Sequence, residues 1–251
     1  MLNASHLFSV AAFAAGLSVD TSLPSVRHAE HLLEAHVWTQ VVKIDNASAA
    51  SPYPRVVYAL VFQLDSVLWF YTPKDGTQSL SLYRGQADKD KANLGPLLLA
   101  IDPGFTHWTR LPKSDESLTD GLRLPNGCFI ESMTLLFREL EKGSPIENPK
   151  LLSYYVSRPG GIRGHTVLQF TSGGKVHVVD PDRPARPATF RNADPNDPKD
   201  VANRIRRDVS KARQLPLREF LRHSPGDDVA RGSGRGDALL ALHATGIALH
   251  S

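Results

Sequence analysis

Residues 164–181, GHTVLQFTSGGKVHVVDP, constrain this chain more than any other stretch. Two runs rich in β-branched and aromatic residues flank Gly173-Gly174, the composition of a β-hairpin with a tight turn. A short turn fixes which residues face each other. With a two-residue turn at Gly173-Gly174, or a four-residue turn at Ser172–Lys175, Val167 stands opposite Asp180. Side chains alternate between faces along a strand, so His165 and Val167 share a face with Asp180. His165 is then the diagonal neighbour of Asp180, at roughly 7–8 Å between backbones, within reach of a side-chain contact. A three-residue turn would send Asp180 to the other face and separate the two. His177 has the opposite parity and is expected to point with Thr166, Leu168 and Phe170.

Upstream, CFIESMTLLFRELEKG is the clearest helix in the sequence. Ile130, Met133, Phe137 and Leu140 recur at helical spacing as one apolar stripe, and Gly143 followed by Pro145 is a stop signal. Its first residue is Cys128, the chain's one cysteine. That count excludes an intramolecular disulfide and a Cys-only zinc site. A thiol at a helix N-terminus sits among unpaired backbone N–H groups and the positive end of the dipole, an environment that favours thiolate over thiol. Thiol catalysis further requires an imidazole in hydrogen-bond reach and a third group that orients it. His165 and Asp180 are the candidates for those roles.

The order Cys, His, Asp, with the thiol opening a helix and the other two on a hairpin, resembles the papain-like superfamily of thiol enzymes. NGCFIESMTLLFREL and GHTVLQFTSGGKVHVVDP follow the outline of transglutaminase-like domains, with Lys175-Val176-His177 where a Trp is usual. NGCFIESMTLL and GHTVLQF…VHVVDP are comparably similar to the bacteriocin-processing cysteine peptidases. The resemblance spans about residues 125–184. It implies an α+β fold in which the helix carrying Cys128 packs on an antiparallel sheet, and thiol chemistry at an amide with Cys128, His165 and Asp180 as catalytic triad. A peptide or protein substrate follows, and no metal or organic cofactor. One departure stands out: papain-like peptidases carry an oxyanion-hole Gln shortly before the Cys, and SLTDGLRLPNG has none. Asn126 and Gln78 are the candidate donors in its place, beside the Cys128 backbone N–H. A binding-only papain-like module is the alternative function.

At 251 residues, 41% of them hydrophobic, the chain suits one large or two small globular units. Its net charge of +3 is spread out, apart from NRIRRDVSKAR (203–213), so no nucleic-acid partner is expected. The N-terminal MLNASHLFSVAAFAAGLS (1–18) has an apolar run of signal-peptide length without the preceding Lys or Arg, which leaves cytoplasmic and exported settings both open. No stretch is long and apolar enough to span a bilayer.

Along the chain, 1–110 reads as a mixed, strand-rich part, 111–222 as the thiol-enzyme core, and 223–251 as a flexible linker with an apolar tail. RVVYALVFQLDSVLWFYT (55–72) reads as a hairpin, PKDGTQ (73–78) as a turn and SLSLY (79–83) as a further strand. These strands either extend the hairpin's sheet or make a second lobe. ADKDKAN is helix or loop, and LGPLLLAID (94–102) is a buried segment of undetermined type. Residues 198–213 are expected as a basic helix. RHAEHLLEAH (27–36) reads as a surface helix; His28, His31 and Glu34 share spacing on it but form no HExxH pattern. Asp180 and Asp182 in DPDRP read as a Pro-punctuated turn.

Overall fold

A computed structural model describes residues 22–64, 66–80, 86–114, 124–159 and 161–217. The N-terminal tail 1–21, which includes the signal-like segment, and residues 218–251, which include the expected linker and tail, lie outside the described residues. Among the described residues, two five-stranded antiparallel sheets and five helices make an α+β fold.

The first sheet grows from the aromatic hairpin. Helix α1 (Ser22–Leu33) leads into β1 (Thr39–Asp45), then β2 (Val56–Leu64), β3 (Val67–Thr72) and β4 (Gly76–Ser79). Ser66, at φ 61°, lies where the chain reverses between β2 and β3. β2 is buried on both faces, which explains its near-continuous apolar run rather than an alternating one. A strand begins before the expected 79–83, at Gly76. The turn is confined to 73–75, and Gly76, Thr77 and Gln78 already pair with Thr72, Tyr71 and Phe70. The cause is local: the Asp75 N–H donates to Thr72 Oγ1 at 3.1 Å and Gly76 adopts φ 72°, so the chain re-enters the sheet early. Residues 81–83 lie outside the described set. ADKDKAN forms α2 (Ala87–Ala92), and LGPLLLAID forms α3 (Gly95–Ile101), with Pro96 tolerated in the first turn. Strand β5 (His107–Arg110) completes the order β4-β3-β2-β1-β5.

The second sheet follows α4 (Cys128–Glu141) and has the order β10-β6-β7-β8-β9. Its strands are β6 (Glu147–Arg158), β7 (Gly161–Ser172), β8 (Lys175–Val179), β9 (Ala188–Phe190) and β10 (Val209–Pro216). The basic helix expected over 198–213 is a short helix followed by a strand. Helix α5 (Pro198–Ile205) is capped by Asp197, whose carboxylate accepts from the Lys199 and Asp200 N–H groups. The chain then turns at Asp208 (φ 70°), and β10 pairs with β6. Tertiary pairing overrides the helix-compatible composition of that run.

The aromatic strands therefore build a sheet of their own rather than extending the hairpin's sheet. They are nonetheless joined to it by a common core. Val41, Leu60, Phe62 and Tyr71 of the first sheet meet Ile130, Met133 and Leu136 of α4 and Leu151, Leu168 and Val179 of the second. The apolar core thus crosses residue 110. The far face of the first sheet is covered by α2 and α3, through Leu94 and Leu98 against Ile44, Val61 and Phe70. The far face of the second sheet, Leu152, Tyr154, Val167 and Val178, packs on Val201 and Ala202 of α5. RHAEHLLEAH is only partly a surface helix: α1 buries Val26, His28, Ala29, Glu30 and Leu33.

Candidate active site

Gly173 and Gly174 form the β7–β8 turn at φ 55° and 71°, the left-handed pair that a two-residue hairpin turn requires. The register runs from Ser172↔Lys175 to Leu168↔Val179, which sets Val167 and Asp180 next in line. His165 and Asp180 accordingly meet: the imidazole Nε2 lies 2.9 Å from Asp180 Oδ1. Asp180 is held in turn, because its Oδ1 also accepts the Asp182 N–H at 2.9 Å and its carbonyl accepts the Arg183 N–H. His177 points with Phe170, on which it stacks at 5.2 Å between ring centroids, away from Asp180.

Cys128 opens α4 and is half-buried. A hydrogen bond of the Ser132 hydroxyl to the Thr166 carbonyl, 3.0 Å, sets the helix against β7 at the residue after His165. Cys128 lies four residues before Ser132, hence on the same helix face one turn nearer the N-terminus. The Cys128 side chain is near enough to the His165 ring to help raise its pKa. Since Nε2 is engaged by Asp180, Nδ1 is the ring nitrogen open to sulfur. Leu168 faces α4, whereas His165 has the parity of Val167, which faces α5. β8 pairs with β7 only over Leu168–Ser172, so His165 stands on a stretch of β7 beyond the end of β8.

Burial opposes a charge on His165, but the hydrogen bond it donates to Asp180, its interaction with Cys128 and the charges of both outweigh it, and the imidazole is raised to about 9. At neutral pH the ring is therefore an imidazolium. Tyr154, directly opposite His165 on β6, meets it edge-on at 5.7 Å, and burial, aided by the Asp180 charge, pushes its hydroxyl up to about 12. Burial, then the charges of Glu131 and Cys128, push the Tyr71 hydroxyl of the first sheet well above the ordinary phenol range.

The two oxyanion candidates are placed differently. Both amide hydrogens of Asn126 are committed: Nδ2 donates to the Pro73 carbonyl at 2.9 Å and the Lys74 carbonyl at 2.7 Å. Gln78 is paired with Phe70 on the sheet face that packs on α2 and α3, and its Nε2 donates to the Tyr53 hydroxyl. It faces away from α4. No side chain caps the N-terminus of α4, so its first-turn N–H groups, beginning at Cys128, are the donors nearest the thiol.

His165, Asp180 and Asp182 present one ligand atom each within 4.8 Å of one another, the one such group of three among the described residues. Because His165 and Asp180 are already bonded to each other, a cation there would have to displace the hydrogen bond that orients the ring. His28, His31 and Glu34 do not converge. His31 pairs with Glu34 at 3.4 Å, and His28 lines a cavity of about 250 Å³ between α1 and α4 with His36, Phe137, Arg138 and Glu141. Among the described residues no helix is long and apolar enough to cross a membrane. Sequence patterning missed Ser132 and Tyr154 as parts of this site; Ser132 breaks the apolar stripe of α4 by one polar residue at a fully buried position, the one signal available. No protein-family model, no curated protein and no solved structure matches this chain.

Proposed function

We propose that this protein is a papain-like thiol enzyme that transfers acyl groups at an amide, acting on a peptide or protein. The observation that carries the reading is a single imidazole, His165, bonded to Asp180 at 2.9 Å and close enough to Cys128 at the start of α4 for the sulfur to raise its pKa. In this scheme the Cys128 sulfur attacks the amide carbonyl carbon and a C–S bond forms. The N-terminal N–H groups of α4 receive the developing oxyanion. The His165 imidazolium gives its proton to the departing nitrogen, the C–N bond breaks, and the amine leaves. Neutral His165 then takes a proton from water or from a second amine, which attacks the thioester and releases Cys128. Asp180 keeps the ring in the orientation and tautomer that both steps need.

A binding-only papain-like module is the second reading, favoured by one observation: Asn126 has both amide hydrogens committed and Gln78 lies on the sheet face away from α4, so neither serves the oxyanion. The deciding experiment is a fluorogenic peptide screen, with and without an added amine acceptor, on wild type and Cys128→Ala. Turnover in wild type that vanishes in the variant supports the enzyme. Equal activity in both excludes Cys128 as nucleophile, and no turnover beside specific peptide binding supports the module.

A further inference from the structure

The turn that delivers Cys128 is fastened to the first sheet at both of its central residues. Leu124–Gly127 closes through the Gly127 N–H and the Leu124 carbonyl at 3.0 Å, with Pro125 second and a left-handed Asn126 (φ 53°) third, the pattern of a type II turn. The Pro125 carbonyl accepts the Tyr71 hydroxyl at 2.9 Å. Asn126 spends both amide hydrogens on the Pro73 and Lys74 carbonyls. The receiving turn is itself stiff. Thr72 and Asp75, 2% and 5% exposed, are bonded to each other across it. Tyr71 is fully buried, where a Phe would fill nearly the same space, so its hydroxyl has the Pro125 carbonyl as its evident purpose.

The sulfur and the imidazole come from different parts of the fold. His165 and Asp180 belong to the second sheet, whereas the turn preceding Cys128 is anchored on the first. A displacement of about 1 Å between reacting groups can cost on the order of a hundredfold in rate. We propose that Asn126 and Tyr71 are positioning residues, a latch by which the first sheet holds the Cys128 thiol in register with His165. The inference rests on the Cys128–His165–Asp180 reading, and it assigns the N-terminal sheet a part in the reaction: it fixes the nucleophile without touching substrate.

The test reads the thiol and requires no substrate. Iodoacetamide alkylation rates of Cys128 are measured from pH 5 to 9 in wild type, His165→Ala, Asn126→Gly, Tyr71→Phe and the double latch variant, at a temperature where circular dichroism shows each fully folded. Gly keeps the left-handed backbone at 126 at no steric cost, so this substitution removes the two hydrogen bonds alone. Each single latch variant is expected to slow alkylation at pH 6 by about 3- to 10-fold, as the loss of an aligning hydrogen bond would, and to shift the profile toward that of His165→Ala. The double variant shifts it further. If Asn126→Gly lowers the melting temperature yet keeps the wild-type rate and profile, the bonds are only structural and the latch is overturned. If wild type already matches His165→Ala, the thiol–imidazole pair itself fails, and the latch fails with it for want of anything to align.

Discussion

Replacing Asp180 with Asn removes one charge, keeps nearly the same shape, and tests the electrostatics on which the site depends. In the native protein His165 is raised from 6.5 to about 9 against a burial that would lower it. A folded-state value above the unfolded one stabilises the protein fully below pH 6.5, and the stabilisation fades as pH rises through about 9. The His165 share at pH 7 is roughly 2–3 kcal/mol, nearly all of it gone by pH 10. The amide that Asp180→Asn introduces would keep an oxygen for the Asp182 N–H, which now donates to the carboxylate at 2.9 Å, but would lose the charge facing the ring. His165 should then titrate lower by about 1–2 units, and stability at pH 7 should fall by about 1–3 kcal/mol. The assay is NMR titration of the His165 Cε1–H, assigned with His165→Gln, beside urea unfolding at pH 7 and pH 10. Wild type and variant should converge in stability at the higher pH. A wild-type midpoint near 6.5, or an Asp180→Asn midpoint equal to wild type, would refute the reasoning, because the hydrogen-bonded carboxylate would then have no hold on the imidazole.

Two further substitutions probe how α4 is seated. Ser132→Ala removes the buried bond to the Thr166 carbonyl, 3.0 Å, and leaves that acceptor without it; a loss of about 1–3 kcal/mol is expected in urea unfolding, with slower Cys128 alkylation, and an unchanged unfolding midpoint would count against Ser132 as the residue that sets the helix on β7. Gly127→Ala would bring a Cβ to 2.1 Å from Leu124 Cβ and 3.1 Å from the Leu124 carbonyl, so the turn must open. The cost should be about 1–3 kcal/mol, read as a lowered thermal midpoint, and a midpoint within about 1 °C of wild type would show that the turn yields freely.

The hairpin was legible in the sequence because its determinants are local. Two glycines dictate a two-residue turn, the turn dictates the register, and alternation then places His165 and Asp180 on one face. Helix α4 was legible for the same reason: its apolar stripe has helical period, and Gly143, at φ 69°, ends it. β6 was not, because a strand covered on both faces shows no alternation to read. Nor was β10, whose basic run becomes a strand only because β6 offers an edge to pair with.

Choosing between donors for the oxyanion lay beyond local pattern altogether. Asn126 and Gln78 look equally available as letters, yet one amide is spent on the carbonyls of Pro73 and Lys74, and the other is turned to the opposite side of a sheet. By itself the sequence determined how the His165–Asp180 pair is held, since periodicity and turn geometry act over a few residues. Only the tertiary structure decided that α4 is seated on β7 beside that pair and that the N-terminal sheet grips the turn before Cys128. Those contacts join segments far apart in the chain, and packing alone sets their distances.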